Sequence, residues 1–422
     1  MNRREFLQKS TVIGAGLASF RPFQSIHGAN EKIVLAVMGA NGRGSSLARS
    51  FAGMEEAHVG FICDPDERAI AKGIKAASDR QDQPPEGIKD FRTILDRQDW
   101  DALVIAAPNH WHAPATILGC KAGKHVYVEK PASHNPWEGA MAVAAARKYD
   151  RVVQLGTQRR SMDAIQEGIR LVHEGGIGEV FFARGWYANN RGGIGHGKPA
   201  EIPSWLDYEL WQGPAPEYPF QDNIVHYNWH WFWQWGNGEL GNNGIHALDI
   251  CRWGLQVDSP ITVTSNGGRY FFDDDQETPD TNIVTFDFGR TSITWEGRSC
   301  QKRPIEGSIF GIGFYGTEGT LIMDGGSYQL YDPLDKLVKE VKGDGSDANH
   351  LKNFLACIRS GERPNADIEI GHKSTMLCHL GNIAYRTGHT LHLHPETGQI
   401  QDDPAASALL KREYRPGWTP SI

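Results

Sequence analysis

Lys130 stands in Glu129-Lys130-Pro131, directly after the strand-like run His125–Glu129. The preceding run of that kind, 101–107, ends in the loop Ala106-Ala107-Pro108-Asn109-His110-Trp111-His112. If these strands are parallel, both loops address one crevice, because an open α/β sheet binds its ligand at the strand C-terminal edge. A lysine in such a loop is either a solvated cation or a working acid/base. Burial beside a ligand lowers an ammonium pKa and lets it exchange a proton with a substrate hydroxyl.

A second constellation lies upstream. The apolar run Ile33–Met38 goes straight into Gly39-Ala40-Asn41-Gly42-Arg43-Gly44, followed by a helical pattern over 44–53. Strand, glycine turn and helix start in that order make a phosphate cradle: the glycines permit a sharp turn and close approach, and the helix N-terminus offers free N–H groups. The spacing G-x-x-G-x-G is a variant of the dinucleotide fingerprint. The next strand, His58–Cys63, ends in Asp64, 20 residues past Gly44. A carboxylate there accepts from both ribose hydroxyls of an adenosine and repels a 2′-phosphate, so NAD is expected over NADP. The competing reading makes Asp64 a turn residue that caps the next helix.

Other candidates are less specific. Trp229, Trp231, Trp233 and Trp235 alternate and would share one face of a strand. Such rings stack on the C–H faces of a sugar, or they fill a core. Trp233 is an expected substrate contact. His226 and His230 form H-x-x-x-H without a third ligand pattern, so no metal is expected. Gln158 and Arg159 follow the run 151–155 and are expected at the mouth of the crevice; Tyr187, Asn189, Asn190 and Arg191 are weaker candidates.

These residues need a scaffold. From 31 to 155, short apolar runs (33–38, 58–63, 101–107, 125–129, 151–155) alternate with helical stretches (44–53, 66–78, 110–121, 135–148). That alternation predicts a parallel sheet covered on both faces. After 156 come a helix over Met162–His173, a strand over Val180–Tyr187, a Gly/Pro/Trp-rich connection over 190–240 and a helix over Gly244–Trp253. Successive strand patterns then fill 261–342, and two helices (347–359, 368–387) close the chain. Strands separated by tight turns predict one large, mostly antiparallel sheet.

The chain has 422 residues and a net charge of −8, with no long basic block, so neither nucleic acid nor an anionic membrane is an expected partner. No 18-residue apolar run occurs outside the first 30 residues or within them. The six cysteines are scattered without C-x-x-C, and their spacing demands no disulfide. Residues 1–30 differ in kind. Arg3-Arg4-Glu5-Phe6-Leu7 precedes a mildly apolar Gly/Ala-rich run and resembles a twin-arginine export signal. A periplasmic or otherwise exported location is expected from that resemblance.

The segment AGKHVYVEKP (122–131), the preceding P-N-x-x-H loop, PSWLDYELWQGPAP (203–216) and YGTEGTL (315–321) together resemble the Gfo/Idh/MocA oxidoreductases over nearly the whole mature chain. The resemblance implies an α/β protein: a Rossmann doubly wound parallel sheet over 31–155, then an α+β domain over 156–422 with one large mostly antiparallel sheet that also joins subunits into a homo-oligomer. It implies NAD held by Gly39, Asn41, Gly42, Arg43, Gly44 and Asp64, with Pro108, Asn109, His112, Glu129 and Lys130 around the nicotinamide. It places Lys130 and His246 in catalysis, and with them the position held here by Asn242. Members carry an aspartate four residues before that histidine; here the position is Asn242, on the same helix face at i, i+4. An asparagine cannot stabilise an imidazolium by charge, although it can orient the ring or bond a sugar hydroxyl. Asn242 and His246 are also expected to touch substrate, and Asp249 is expected to pair with Arg252.

The expected activity is hydride transfer between a tightly held NAD and a sugar, polyol or glycoside. A redox-neutral glycosidase or lyase that oxidises, eliminates and re-reduces is the alternative, because an exported enzyme meets no free NAD pool. A sugar-binding protein without catalysis is a third class, disfavoured by Lys130.

Overall fold

Buried aliphatic runs set the first sheet. A computed structural model describes residues 31–422, so the twin-arginine-like segment lies outside the described residues. Strands β1 (Ile33–Met38), β2 (Ala57–Cys63), β3 (Glu86–Ile88), β4 (Ala102–Ile105), β5 (His125–Val128) and β6 (Val153–Leu155) pair in the order β3-β2-β1-β4-β5-β6. Every pair is parallel. Leu35, Val37, Val104 and Val126 are fully buried, as strands covered on both faces require. Strand order reverses between β1 and β4, and that switch point is where such sheets take ligands. The run 101–107 forms a strand only over 102–105, because Ala106 and Ala107 leave the ladder to pass under the glycine turn. A Cβ on Gly39 would lie 2.5 Å from the Ala107 nitrogen, so this crossing needs glycine.

The second sheet has nine strands: β7 (Val180–Ala188), β8 (Thr262–Gly268), β9 (Thr281–Asp287), β10 (Ser292–Arg298), β11 (Phe310–Gly316), β12 (Thr320–Asp324), β13 (Ser327–Tyr331), β14 (Leu337–Val341) and β15 (Leu391–His392). Their order is β14-β13-β12-β11-β7-β10-β9-β8-β15. Only β7 and β10 run parallel; the other neighbours are antiparallel. One face packs on helices Asp163–His173, Ile245–Leu255 and Ile368–Thr387, and β9 alternates accordingly, with Val284 and Phe286 fully buried and Ile283 exposed. The expected fold class is the one observed.

Residues 32–422 cluster as a single unit, and helices cross between the sheets. Helix Ala348–Ser360, late in sequence, lays Leu351 and Phe354 on the first sheet against Phe51 and Tyr127. The backbone N–H of Leu155 donates to the carbonyl of Ala366 at 2.8 Å. The edge loops of the first sheet are thereby held against the helices of the second.

Candidate active site

The cleft at the switch point has a volume of about 460 Å³. At one end, Gly42 precedes helix Arg43–Ala52, which has no side-chain cap. Its first N–H groups therefore stay available. A Cβ on Gly42 would meet nothing within 4 Å, and Gly42 lines the cleft, so the helix end opens onto ligand space. Gly44 is different: a Cβ there would lie 1.7 Å from the Gly39 carbonyl oxygen, which closes the turn. Asn41 also lines the cleft, and its Oδ1 accepts from Lys72 Nζ at 3.1 Å.

Asp64 is 6% exposed and lines the same end. Its Oδ2 accepts from the Ala40 N–H at 2.7 Å and its Oδ1 from the Asp66 N–H at 2.9 Å. Burial pushes its carboxyl above the usual range, against the pull of those two N–H groups. Each oxygen keeps a lone pair for a hydroxyl. The helix-capping role belongs to Asp66, whose side chain accepts from the Arg68 N–H. The donor set, a bare helix N-terminus and a fixed carboxylate, fits the pyrophosphate and ribose of a dinucleotide.

Lys130 lies at the other end. Its Nζ donates to Asn242 Oδ1 at 2.8 Å and to the Asn242 carbonyl at 2.9 Å. Burial lowers its pKa, partly offset by Glu129 and Glu239. Glu129 is itself committed: Arg43 Nε donates to its Oε1 at 2.7 Å. Burial raises the Glu129 carboxyl, but Arg43 and Lys130 more than offset this and hold it below its ordinary pKa. Arg43 also reaches Asp347 at 2.9 Å, so it ties the glycine turn to the Lys130 loop and to helix Ala348–Ser360. His112 sits between the two edge loops, with Nδ1 2.6 Å from the Pro131 carbonyl and Nε2 2.8 Å from that of Ala107. Full pairing of both nitrogens requires the imidazolium, which burial opposes. Pro108 and Asn109 line the cleft, with Asn109 buried at the start of helix Asn109–Lys121.

Asn242 lies in a π-turn, Leu240–Gly244, that feeds helix Ile245–Leu255. Its side chain serves Lys130 and, through Nδ2, Glu239 at 3.3 Å; it does not orient His246. The Nδ1 atom of His246 is buried without a partner, and the ring lines the cleft. Burial, then Arg159 and Lys130, hold this imidazole well below its ordinary pKa, so it is neutral. Gln158 lines the cleft with its Oε1 unpartnered, and Arg159 stacks on Phe310 at 4.1 Å from the ring centroid.

Two expectations are corrected. The tryptophan run forms no strand: Asn228–Trp231 is a single 3-10 turn, Trp231 and Trp235 are buried, and Trp235 belongs to a local aromatic cluster with Trp211 and Phe232. Trp233 therefore turns away from Lys130 and lines a separate cavity beside Glu277 and Arg386. Asp249 pairs with Arg160, at 2.8 Å, and with Ser374, rather than with Arg252, whose guanidinium goes to Asp258 and Ser374.

Sequence reasoning missed the strap over the dinucleotide end. Residues 205–230 leave the second half and dock on Pro65–Arg68. The Glu67 N–H donates to the Trp205 carbonyl at 3.1 Å, the Asp207 N–H to that of Pro65 at 3.0 Å, and Arg68 lies over the Trp205 ring at 3.2 Å. His226 Nε2 is 2.9 Å from Asp66 Oδ2. Trp211, His226, Tyr227, Trp229 and His230 thereby line the cleft. The cue available in sequence was the density of tryptophan and histidine, which does not specify what it packs against.

Among the described residues, no group of three or more His, Cys, Asp or Glu is arranged to hold a metal, and no helix is long and apolar enough to cross a membrane. All six cysteines are free and buried.

Comparison with known proteins gives consistent matches. Residues 33–157 match the oxidoreductase family NAD-binding Rossmann fold, and residues 185–420 match the C-terminal alpha/beta domain of that oxidoreductase family. A glycosyl hydrolase family 109 protein of Saccharopolyspora erythraea is 28% identical over 212 residues, covering 45% of this chain and 46% of that protein. Levoglucosan dehydrogenase of Pseudarthrobacter phenanthrenivorans is 27% identical over 164 residues, covering 39% and 35%. The alignments thus span less than half the length of these curated relatives. Among solved structures, levoglucosan dehydrogenase in complex with NADH and levoglucosan aligns with a TM-score of 0.67 at 16% identity, covering 86% of this chain and 99% of that one. The WlbA dehydrogenase of Bordetella pertussis aligns at 0.66 with 18% identity, covering 86% and 99%. At these identities the likeness establishes the fold.

Proposed function

The chain belongs to the Gfo/Idh/MocA oxidoreductase family, and from that premise we propose that it oxidises or reduces a carbinol carbon of a sugar, polyol or glycoside with a tightly held NAD. The observation that carries this reading is the pairing of Lys130 with Asn242. A neutral amine has two N–H bonds and one lone pair. Both N–H bonds are taken by the two oxygens of Asn242, at 2.8 and 2.9 Å. The lone pair is the free valence and faces the cleft, where it accepts the proton of a substrate hydroxyl. Burial favours this neutral form. His246, neutral and unpartnered, bonds a second oxygen of the substrate, and Gln158 Oε1 accepts from a third position. NAD, when bound by Gly42, the helix N-terminus and Asp64, supplies the hydride acceptor.

Tight retention is supported by the strap over Pro65–Arg68, which Arg415 buckles by donating to the carbonyls of Gly213 at 2.7 Å and Glu209 at 3.0 Å. The same device suits a redox-neutral glycosidase, and the glycosyl hydrolase family 109 relatives favour keeping that second reading. Incubating the purified protein with a glycoside panel tests both. Reduced nicotinamide accumulating with an oxidised sugar supports net oxidation. Released sugar with no net reduction supports the cleavage reading, and neither signal rejects both.

Export by the twin-arginine route remains part of the proposal, on Arg3 and Arg4. Assembly through the outer face of the nine-stranded sheet is supported by the Phe182–Tyr315 stack and the exposed Ile283 on that face.

A further inference from the structure

A side-chain amide has two ends, and the end that meets Lys130 decides what the amine can do. With Asn242 Oδ1 facing Nζ at 2.8 Å, the amine donates and its lone pair stays free. Turned end for end, the amide would present Nδ2, whose N–H would take that lone pair and leave none for a substrate hydroxyl. The group that selects between the two lies behind Asn242. Asn242 Nδ2 donates to Glu239 Oε1 at 3.3 Å, and Asn243 Nδ2 donates to the same oxygen. Glu239 Oε2 accepts from Arg191 Nε at 2.7 Å, and the Glu239 side chain is 6% exposed. Arg191 also donates to the hydroxyls of Tyr227, on the strap, and of Tyr187. A carboxylate paired in this way only accepts, so it attracts Nδ2 and repels Oδ1.

We propose that Glu239 is a positioning residue for the acid/base: it holds the Asn242 amide with its oxygen toward Lys130, and so keeps the lysine lone pair open to the substrate. This inference rests on the reading of Lys130 given above and deepens it. A glutamine at 239 would lose the selection, because its own amide can turn either an oxygen or an N–H toward Asn242. Asn242 is then free to turn Nδ2 to Lys130 and occupy the lone pair. Glu239 also bears on the lysine by charge. The charges acting on Nζ are Glu129 in its own loop, Arg43 at the glycine turn, Glu239 beside the π-turn and Arg191 just after β7. His112, His230 and His246 line the same cleft, and burial lowers the pKa of each, while burial raises that of the Cys378 thiol. Removing the Glu239 charge leaves Arg191 uncompensated, and both changes lower the Lys130 pKa.

The test labels the NAD-loaded protein with a trace of acetic anhydride across pH and reads Lys130 by mass spectrometry, with the exposed Lys302 as internal reference. Only a neutral amine with a free lone pair is acylated. The limiting reactivity at high pH therefore reports the lone pair and the midpoint reports the pKa, both without turnover. Glu239→Gln should lower the limiting reactivity about tenfold, the scale of one hydrogen bond, and move the midpoint to lower pH. In an Asn242→Ala background the same substitution should lower the limiting reactivity no further, because its effect passes through the amide. The double variant Arg191→Gln/Glu239→Gln strands no ion and should show the same loss of reactivity, which keeps the test open where the single variant fails to fold. The inference is overturned if Glu239→Gln leaves the limiting reactivity or the midpoint unchanged, or if it lowers the reactivity equally in the Asn242→Ala background. The expected labelling with no nicotinamide chemistry or cleavage on any glycoside sinks the proposed function and leaves this inference standing. Turnover of a glycoside with labelling unaltered in Glu239→Gln does the reverse.

Discussion

Nζ of Lys130 lies 2.8 Å from Oδ1 of Asn242, the residue that replaces an expected aspartate. The asparagine is thus a partner of the lysine and not of His246. A neutral partner leaves the buried amine free to stay uncharged, while a carboxylate at the same distance would hold it as ammonium.

Asn242→Asp should therefore raise the Lys130 pKa. An alcohol proton is accepted only by the neutral amine, so kcat/KM for oxidation rises as pH rises through that pKa. Burial places this limb below the ordinary lysine range in the wild type. The variant should move the limb to higher pH and lose activity near neutrality. An unchanged pH profile would show that Asn242 does not set the charge of Lys130.

Asp64→Asn should narrow the preference for NAD over NADP. The substitution keeps one acceptor but removes the charge that opposes a 2′-phosphate, a contact worth a few kcal/mol when partly desolvated, on the order of a hundredfold. It also leaves the Ala40 or Asp66 N–H without its acceptor, at a stability cost of about 1–3 kcal/mol. Titrating apoprotein with both dinucleotides reads the ratio, which is insensitive to that cost. A preference unchanged in the variant would remove Asp64 from ribose recognition.

Asp249→Ala should destabilise the protein by about 3–5 kcal/mol, because it strands the Arg160 guanidinium in the interior. The two side chains are 1% and 6% exposed, with Ser374 completing the network. Asp249→Asn should cost less, since it keeps an acceptor. Denaturant unfolding of the three proteins checks the order.

Stability should fall steeply on acidification below pH 6.5. His110, His125 and His379 are buried, and burial lowers each imidazole to about 3. The unfolded chain binds protons at about pH 6.5 while the folded one does not, so the unfolded state gains as pH falls from there toward 3, and above 6.5 the contribution is constant. Between pH 7.5 and 5.5 each histidine should cost about 1 kcal/mol. A melting temperature flat across that range would contradict the burial of neutral rings.

The parts of this molecule readable in sequence are those governed by local pattern. Aliphatic runs such as Val34–Val37 and Leu103–Ile105 can only be strands buried on both faces, and a glycine turn beside them can only pack where Cβ atoms are missing, as Gly39 does over Ala107. The parts that escaped depend on long-range pairing. Strand β3, Glu86-Gly87-Ile88, has no apolar run and exists because β2 offers it an edge. The tryptophan run alternates like a strand, yet cluster packing with Trp211 and Tyr218 turns it into a 3-10 bend and carries Trp233 away from Lys130. Asp249 had a plausible partner three residues on, but helix geometry points its carboxylate at Arg160, 89 residues away. Nothing in residues 205–230 announces that they bind Pro65–Arg68.

The central claim is that Lys130 is the acid/base of an NAD-dependent reaction on a carbohydrate. The most direct measurement compares wild type with Lys130→Ala on one preparation scale, reading bound NAD and single-turnover reduction of the nicotinamide with the best glycoside of the panel. The pyrophosphate and ribose are gripped by the loops after β1 and β2, so bound NAD should stay within a few-fold. The rate should fall by about 10²–10⁴, the loss expected when a positioned acid/base is removed. Full NAD occupancy with a wild-type rate in Lys130→Ala would contradict the account.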